Sequence, residues 1–251
     1  APEASAPEAE RIAKRIARAG VCSRRDAEKL IAEGRVAVDG EVISEPGTKV
    51  TAANKVTVNG VPLDAPQKTR LWRYHKPAGL ICTTKDPQGR DSVFDNLPKS
   101  MPRVVSVGRL DFNSEGLLLL TNDGELARTL ELPTTAWARR YRVRAFGTLT
   151  DKDVEALRRG VTVDGVKYGS IAAEVERVQG GNTWVSMTLR EGKNREIRNV
   201  LGHFGLKVNR LIRVAYGPFQ LGNLARGEVS EVPGKVLAEQ LGRLDKPRTG
   251  P

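Results

Sequence analysis

The sequence has very few of the side chains that build metal and redox centres. Only two cysteines and two histidines occur in 251 residues, and Cys22 and Cys82 lie far apart with no Cys-x-x-Cys spacing. This distribution excludes the usual cysteine-based zinc patterns and predicts free thiols in a reducing compartment. There is also no glycine-rich nucleotide loop of standard spacing. We therefore expect a cytoplasmic protein that uses neither a metal nor a cofactor.

The sequence also lacks long apolar stretches. No run of about 18 apolar residues occurs, so we expect no membrane-spanning segment. Residues 1–9 are rich in Ala, Pro and Glu and lack the apolar core of a signal peptide. They predict a flexible tail, and residues 246–251 predict a second one.

Acidic residues are fewer than basic residues. Against 41 Lys and Arg there are 30 Asp and Glu, which gives a net charge of +11. Most of the excess lies in two short segments, 11–35 and 190–213, each with a net charge of +5. Clustered positive charge of this kind is typical of a surface that binds a phosphate backbone. A solvated basic face without a ligand is the alternative interpretation.

Residues 10–64 predict a small domain. Ile12 and Ile16 repeat at helical spacing, and Ser23 with Asp26 three positions later predicts the capped start of a second helix. Two tight turns, Asp39-Gly40 and Asn59-Gly60, separate valine-rich runs and predict hairpins. A linker is expected at 65–70.

Residues 71–245 predict a second, larger domain. Strand patterns occur at 71–75, 80–84, 103–107, 116–121, 141–146, 172–178, 184–189 and 209–216. Helix patterns occur at 125–132, 151–159, 194–204 and 235–244, and Thr150 is a candidate cap for the second of these. The strands are too numerous and too close for repeated βαβ units. They predict an α+β domain with a mixed, largely antiparallel sheet.

One 18-residue string, VGRLDFNSEGLLLLTNDG at 107–124, places the carboxylate of Asp111 between two strand-like segments. A charged side chain is rarely buried unless it is paired, although a loop Asp often only caps a turn. Glu115 and Asp123 are nearby alternatives, and Asp123 has turn chemistry. The whole string resembles the catalytic-loop motif of RNA pseudouridine synthases, particularly the branch that modifies bacterial ribosomal RNA. The resemblance implies that Asp111 is the catalytic carboxylate.

Two further strings, ARRYRV and REGKNREIRNVLGHFG, extend this resemblance. It implies that Tyr141 stacks on a flipped uracil and takes part in proton transfer, although a core tyrosine is the plain interpretation. It implies an apolar site residue at Ile197 and a guanidinium at Arg198 that keeps Asp111 ionised. Lys193 and Arg195 are candidate phosphate contacts.

Arg109 lies two residues before Asp111, and in a strand both would point to the same side. The plain interpretation is a local ion pair between them. The resemblance implies an arginine that ejects the target base and takes its place.

The string RIAKRIARAGVCSRRDAEKLIAEGRVAVDGEVI resembles the alpha-L RNA-binding fold of a small-subunit ribosomal protein. In that fold the helix pair faces RNA. The implied RNA contacts are Arg11, Lys14, Arg15, Arg24, Arg25 and Lys29. A helical hairpin whose basic residues only solubilise it is the alternative.

The ending VNRLIRVAYGPFQLGNL resembles most closely the subgroup that acts on large-subunit (23S) ribosomal RNA. The implied function is site-specific isomerisation of uridine to pseudouridine during ribosome biogenesis. The expected partner is a large-subunit RNA stem-loop or a pre-ribosomal particle, and the expected assembly is a monomer. A non-catalytic RNA-binding protein and a base glycosidase remain as alternatives.

Overall fold

The computed structural model describes residues 8–245. The predicted tails therefore lie outside the described residues, apart from residues 8 and 9. The contacts divide the chain into two compact units, one of residues 8–69 with 100–104 and one of residues 70–99 with 105–245. The domain bounds drawn from the sequence, 10–64 and 71–245, stay predictions.

The first unit combines two helices with short strands. The helices are α1 (Ile12–Arg18) and α2 (Arg24–Ala32). The strands are β1 (Glu10–Arg11), β2 (Val36–Val38), β3 (Glu41–Val42), β4 (Lys49–Val50), β5 (Val56–Val58) and β6 (Val61–Pro62). Strands β3, β2, β5 and β6 form an antiparallel sheet in that order, and β1 pairs with β4. A core that includes Ile12, Ile16 and Ile31 joins the helices to the sheet.

The local signals predicted for this unit are confirmed. The Ser23 hydroxyl accepts a hydrogen bond from the Asp26 amide at 2.9 Å and so caps α2. Both hairpin turns have positive φ at their two central residues, the conformation that a type I′ turn requires.

The second unit is built on one nine-stranded sheet. Its strands are β7 (Leu71–Lys76), β8 (Val105–Val107), β9 (Glu115–Thr121), β10 (Arg139–Phe146), β13 (Ala172–Gln179), β14 (Asn182–Leu189), β15 (Lys207–Tyr216), β16 (Phe219–Gln220) and β17 (Val229–Glu231), while β11 (Thr162–Val163) and β12 (Val166–Lys167) form a separate hairpin. The order across the sheet is β13, β14, β10, β15, β9, β7 and β17, with β8 on β9 and β16 on β15. All pairs are antiparallel except β15 with β9, which confirms the α+β class.

The helices of this unit are α3 (Gly124–Glu131), α4 (Asp151–Arg159), α5 (Glu196–His203) and α6 (Gly234–Leu244), with a 3-10 turn at Phe94–Asn96. Thr150 and Asp153 form the full capping box at the start of α4, so the predicted cap is confirmed. No helix within residues 8–245 is both long and apolar enough to span a membrane.

The strand predicted at 80–84 is wrong. The segment forms only one isolated bridge, between Ile81 and Ser92. Its apolar residues Leu80, Ile81 and Cys82 are buried, so the apolar run reflects burial of a loop rather than pairing in a sheet. A short apolar run does not separate these two outcomes.

Two cores lie on opposite faces of the sheet, because successive side chains of a strand point to opposite sides. One core, with Val143, Met187 and Leu211, lies on the face covered by α4 and α5. The other, with Leu117 and Leu119, lies on the opposite face under α3 and α6. The two halves of the sheet meet where β9 runs parallel to β15, with Gly116 opposite Arg213.

Candidate active site

Asp111 lies in the loop between β8 and β9, at the point where the two halves of the sheet meet. Its carbonyl accepts a hydrogen bond from the Ser114 amide at 3.0 Å, which closes a tight turn before β9 begins. Its side chain is 33% exposed, and within the described part of the chain it makes no hydrogen bond. The carboxylate is therefore accessible and has unused acceptor capacity.

Two guanidiniums from the start of α5 lie beside this carboxylate. Arg195 Nη1 is 3.6 Å and Arg198 Nε is 3.8 Å from Asp111 Oδ2. Both distances exceed a normal hydrogen bond, so the interaction is mainly electrostatic. Both cations lie at Oδ2, so the other oxygen of the carboxylate stays open. The structure thus brings together three of the residues proposed from the sequence.

The backbone of α5 fixes this geometry. Arg195 is the N-cap residue and has a φ of 51°, a left-handed conformation that is uncommon for a residue with a side chain. On the other side of the helix, Ile197 is 4% exposed and packs in the core with Val200. Ile197 thus anchors the helix that carries Arg198. The helix is shorter than the predicted 194–204, because the turn at Arg195 delays its start to Glu196.

The Arg198 side chain is only 15% exposed, and its Nε atom has no hydrogen-bond partner among residues 8–245. Burial and the neighbouring Arg195 lower the pKa of Arg198, and the charge of Asp111 opposes that shift. An arginine remains cationic under such a shift, because the guanidinium stays charged in proteins. A half-buried cation with a free donor suits an anionic neighbour.

The other two carboxylates of the motif have structural roles. Glu115 is 7% exposed and accepts two hydrogen bonds from Arg210, at 3.1 and 3.2 Å. Arg226 Nη2 forms a second ion pair with it, 3.4 Å from Glu115 Oε1. Asp123 caps α3 by accepting hydrogen bonds from the Glu125 and Leu126 amides. Asp111 is therefore the carboxylate of the motif that is open to a ligand.

Lys76, which the sequence analysis did not select, contacts the loop of Asp111 from the interior of the protein. It is fully buried, and its Nζ donates to the carbonyls of Pro77, Phe112 and Ser114 at 3.0, 3.2 and 2.8 Å. Two of these carbonyls, those of Phe112 and Ser114, follow Asp111 in the loop, so the ammonium holds the loop in place. Burial lowers the pKa of Lys76 to about 8, while Cys82, Glu115 and Asp111 oppose this shift. The sequence feature that could have drawn attention to Lys76 is its position before Pro77 at the end of a strand.

Tyr141 lies in β10, opposite Arg213 of β15, which in turn lies opposite Gly116. It therefore stands in one row across the sheet with the first residues of β9, on the face covered by α5. It is half-buried against the core of that face, and within residues 8–245 no hydrogen bond joins it to Asp111. Arg213 is 4% exposed, and its Nη2 has no hydrogen-bond partner in the described part of the chain.

The ion pair considered for Arg109 and Asp111 is wrong. Arg109 lies in the loop after β8 rather than in a strand, its side chain is exposed, and among the described residues it forms no ion pair. The side chains that do pair with Asp111 come from α5. The tertiary fold brings them there across about 85 residues of sequence, and Arg198 is the one that the resemblance implied.

Lys193 is engaged with its own surroundings. Its Nζ donates to the Lys167 carbonyl, lies 3.6 Å from Glu191, and is 5.7 Å from the centre of the Tyr168 ring. Its backbone amide donates to buried Glu196 at 3.3 Å. Burial and the nearby charge of Glu191 raise the pKa of Glu196 to about 7. These contacts order the loop that presents Arg195.

The six proposed RNA contacts of the first unit differ in how strongly the fold engages them. Arg15 Nη1 donates to the Thr51 carbonyl at 2.7 Å, so this side chain helps to hold the unit together. The others reach the surface to different extents: Arg11, Arg25 and Lys29 are exposed, while Lys14 and Arg24 are half-buried. Their contact with RNA stays a prediction.

An open carboxylate beside two guanidiniums agrees with the resemblance drawn from the sequence, and comparison with known proteins decides the family. The model of the family described as RNA pseudouridylate synthase matches residues 70–203, more than half of the chain. The chain belongs to the RNA pseudouridylate synthase family. It is an isomerase that forms pseudouridine in RNA. The model of the S4 domain, an RNA-binding domain, matches residues 10–56.

Individual relatives agree with this assignment. A pseudouridine synthase of Rickettsia felis, itself uncharacterised, is 49% identical over 228 residues, 91% of this chain and 99% of the relative. The ribosomal large subunit pseudouridine synthase B of Yersinia pestis is 44% identical over 238 residues, 90% of this chain and 74% of that protein. A crystal structure of a pseudouridylate synthase shares the fold, with a TM-score of 0.63 at 22% identity over 93% of this chain and 99% of the other.

Proposed function

We propose that this pseudouridine synthase isomerises a specific uridine of large-subunit (23S) ribosomal RNA during ribosome biogenesis in the cytoplasm, with Asp111 as its catalytic carboxylate. The observation that carries the proposal is the accessible Asp111 carboxylate, 3.6 and 3.8 Å from two guanidiniums. The large-subunit substrate is supported by the 44% identity to the Yersinia pestis synthase.

The reaction needs no co-reactant. The N1–C1′ bond of uridine breaks, the uracil turns over, and a C5–C1′ bond forms; the proton lost from C5 is balanced by one gained at N1. Bond cleavage at C1′ resembles glycoside hydrolysis, in which a carboxylate attacks the sugar carbon or stabilises its positive charge. Asp111 has the exposure that either role requires. Water must be kept away from C1′ so that the base is recaptured.

The neighbouring residues take supporting roles. Arg198 and Arg195 place positive charge beside Asp111 when an RNA strand displaces water from the loop. A uracil in a stem cannot reach Asp111 while it is stacked, so the enzyme extrudes it, at a cost of a few kcal/mol. Tyr141 stacks on the extruded base and its hydroxyl takes part in proton transfer. Arg109, exposed on the same loop, fills the space that the base leaves.

Affinity comes from basic residues outside the catalytic centre. Lys193 and the six basic residues proposed in the first unit contact phosphates, which position the RNA without reading its sequence. The substrate is a stem-loop of the large-subunit RNA or a pre-ribosomal particle, and the enzyme acts as a monomer.

The decisive variant is Asp111→Asn. The amide keeps the shape of the side chain and leaves the backbone turn to Ser114 in place, but it cannot serve as nucleophile or counter-charge. We expect pseudouridine formation in 23S RNA to be lost while RNA affinity is largely retained. The matched control is Asp123→Asn, because asparagine caps a helix as well as aspartate and activity should survive.

Substantial turnover by purified Asp111→Asn would contradict the assignment. Mass analysis of the treated RNA separates isomerisation, which leaves the mass unchanged, from base loss by a glycosidase, which lowers it. Unmodified RNA after treatment with the wild-type protein, despite tight binding, would indicate a binding protein instead.

A further inference from the structure

The face of the sheet that points away from Asp111 carries an arginine cluster around one tryptophan. The guanidinium carbons of Arg142, Arg144 and Arg177 lie 5.2, 5.7 and 5.4 Å from the ring centre of Trp184. They come from β10 and β13, the two neighbours of the strand β14 that carries Trp184. The indole is 8% exposed, so the arginines cover it and turn their outer edges to solvent.

The carboxylates near this cluster do not balance the positive charges of its three arginines. Arg142 pairs with Glu176 at 3.1 Å, and Arg144 Nε donates to the neutral amide oxygen of Asn209 at 2.6 Å. In the part of the chain that the structure describes, neither Arg144 nor Arg177 pairs with a carboxylate. Three like charges within about 6 Å of one ring repel each other, and an anion would relieve that repulsion.

The other charged side chains on this face are also mainly basic. Strand register and ion pairs place six basic and three acidic side chains on it: Arg140, Arg142, Arg144, Arg177, Lys207 and Arg210 against Glu115, Glu174 and Glu176. Arg210 is neutralised by Glu115 on the adjoining strand. We call this surface the Trp184 face. The helices α3 and α6 cover only the other half of this side of the sheet, so the Trp184 face is not covered by them.

The chemistry of the cluster fits phosphate. A guanidinium that stacks on an indole keeps its planar fork of N–H donors free, and this fork matches phosphate oxygens. The indole holds the three forks in place, which reduces the entropy lost on binding. A chain of phosphates also matches a surface that extends across four strands better than a single anion does.

We propose that the Trp184 face is a second RNA-binding surface, which holds phosphates of the substrate RNA at a distance from the target uridine. The proposal rests on the proposed function only in taking RNA as the partner. Because this face and the Asp111 carboxylate lie on opposite sides of the sheet, a short stem cannot contact both. The RNA must have a flanking helix long enough to pass around the edge of the sheet. The surface thus favours a larger RNA fragment over an isolated stem-loop.

The test compares two RNAs and a triple variant, Arg142→Gln, Arg144→Gln and Arg177→Gln, in the full chain. One RNA is the minimal target stem-loop, and the other adds its flanking helices. On the long RNA we expect KM to rise at least tenfold and the log–log salt slope of binding to fall by about 2 to 3, since each lost phosphate contact removes about 0.7 to 0.9. On the short stem-loop, kcat and KM should be unchanged.

A matched control removes the same charge elsewhere, from the exposed helix α4, with Lys152→Gln, Arg158→Gln and Arg159→Gln. It should bind both RNAs like the wild type. A charge-retaining triple variant, Arg142→Lys, Arg144→Lys and Arg177→Lys, should recover most of the salt slope, which a purely structural role of the arginines would not allow.

An equal salt slope for the triple variant and the α4 control on the long RNA would overturn the proposal, as would an equal loss on both RNAs. Failure of the lysine variant to recover the slope would overturn it too. These binding results are independent of pseudouridine formation. Absence of isomerisation by the wild type would refute the proposed function without deciding the role of the Trp184 face.

Discussion

Gly116 is the position at which we expect the addition of a single methyl group to destabilise the fold most. It has a φ of 105°, and a Cβ built on it would lie 2.2 Å from the Arg213 carbonyl oxygen and 2.8 Å from the Arg213 nitrogen. Both atoms belong to the backbone of β15, so no side-chain rotation can relieve the clash. Gly116→Ala should therefore push β9 and β15 apart where the two halves of the sheet join.

Two costs add up in this variant. A residue with a side chain in this backbone conformation costs about 1 to 3 kcal/mol. Overpacking against a fixed neighbour costs about 1 to 3 kcal/mol more. The sum of about 2 to 6 kcal/mol would lower Tm by roughly 5 to 20 °C for a unit of this size. Since Asp111 precedes β9 and Tyr141 lies beyond β15, a displacement of about 1 Å should also reduce turnover by about 100-fold.

Tryptophan fluorescence is the appropriate readout, because all three tryptophans lie in the second unit. The matched control is Gly202→Ala in α5, where the added Cβ meets no atom within 4 Å. Alanine is favoured over glycine inside a helix by about 0.5 to 1 kcal/mol, so this control should be slightly more stable than the wild type. A Gly116→Ala protein as stable and as active as the control would refute the reasoning.

Two further predictions concern side chains near the loop. Tyr141→Phe should bind RNA normally but turn over poorly in single-turnover assays, whereas Tyr141→Ala should also bind the flipped base weakly; full activity of Tyr141→Phe would remove the hydroxyl from the chemistry. The pKa of Lys76 is lower in the folded protein than in the unfolded chain, so the unfolded state binds more protons above about pH 8. The free energy of unfolding should therefore rise with pH above about 8. Relative to Lys76→Met, urea unfolding should show the wild type gaining about 2 to 3 kcal/mol between pH 7 and 10, and parallel pH profiles would contradict this.

Local signals in the sequence determined much of the secondary structure. The caps at Ser23 and Thr150 and the two Gly-containing hairpin turns of the first unit formed as predicted, because each depends on interactions within a few residues. The apolar run at 80–84 was misleading, since burial of a loop and burial of a strand need the same residues. The motif around Asp111 also indicated the family before any geometry was known.

Only the tertiary structure decided which of the candidate groups lie beside Asp111. Sequence spacing suggested Arg109, two positions away, and the family resemblance implied Arg198, whereas the fold brings Arg195 and Arg198 there. It likewise buried Lys76 under the loop. Periodicity specifies which face of a strand or helix is apolar, but the neighbour across that face depends on strand order and register. Those are set by contacts between residues far apart in the chain, and no local pattern encodes them.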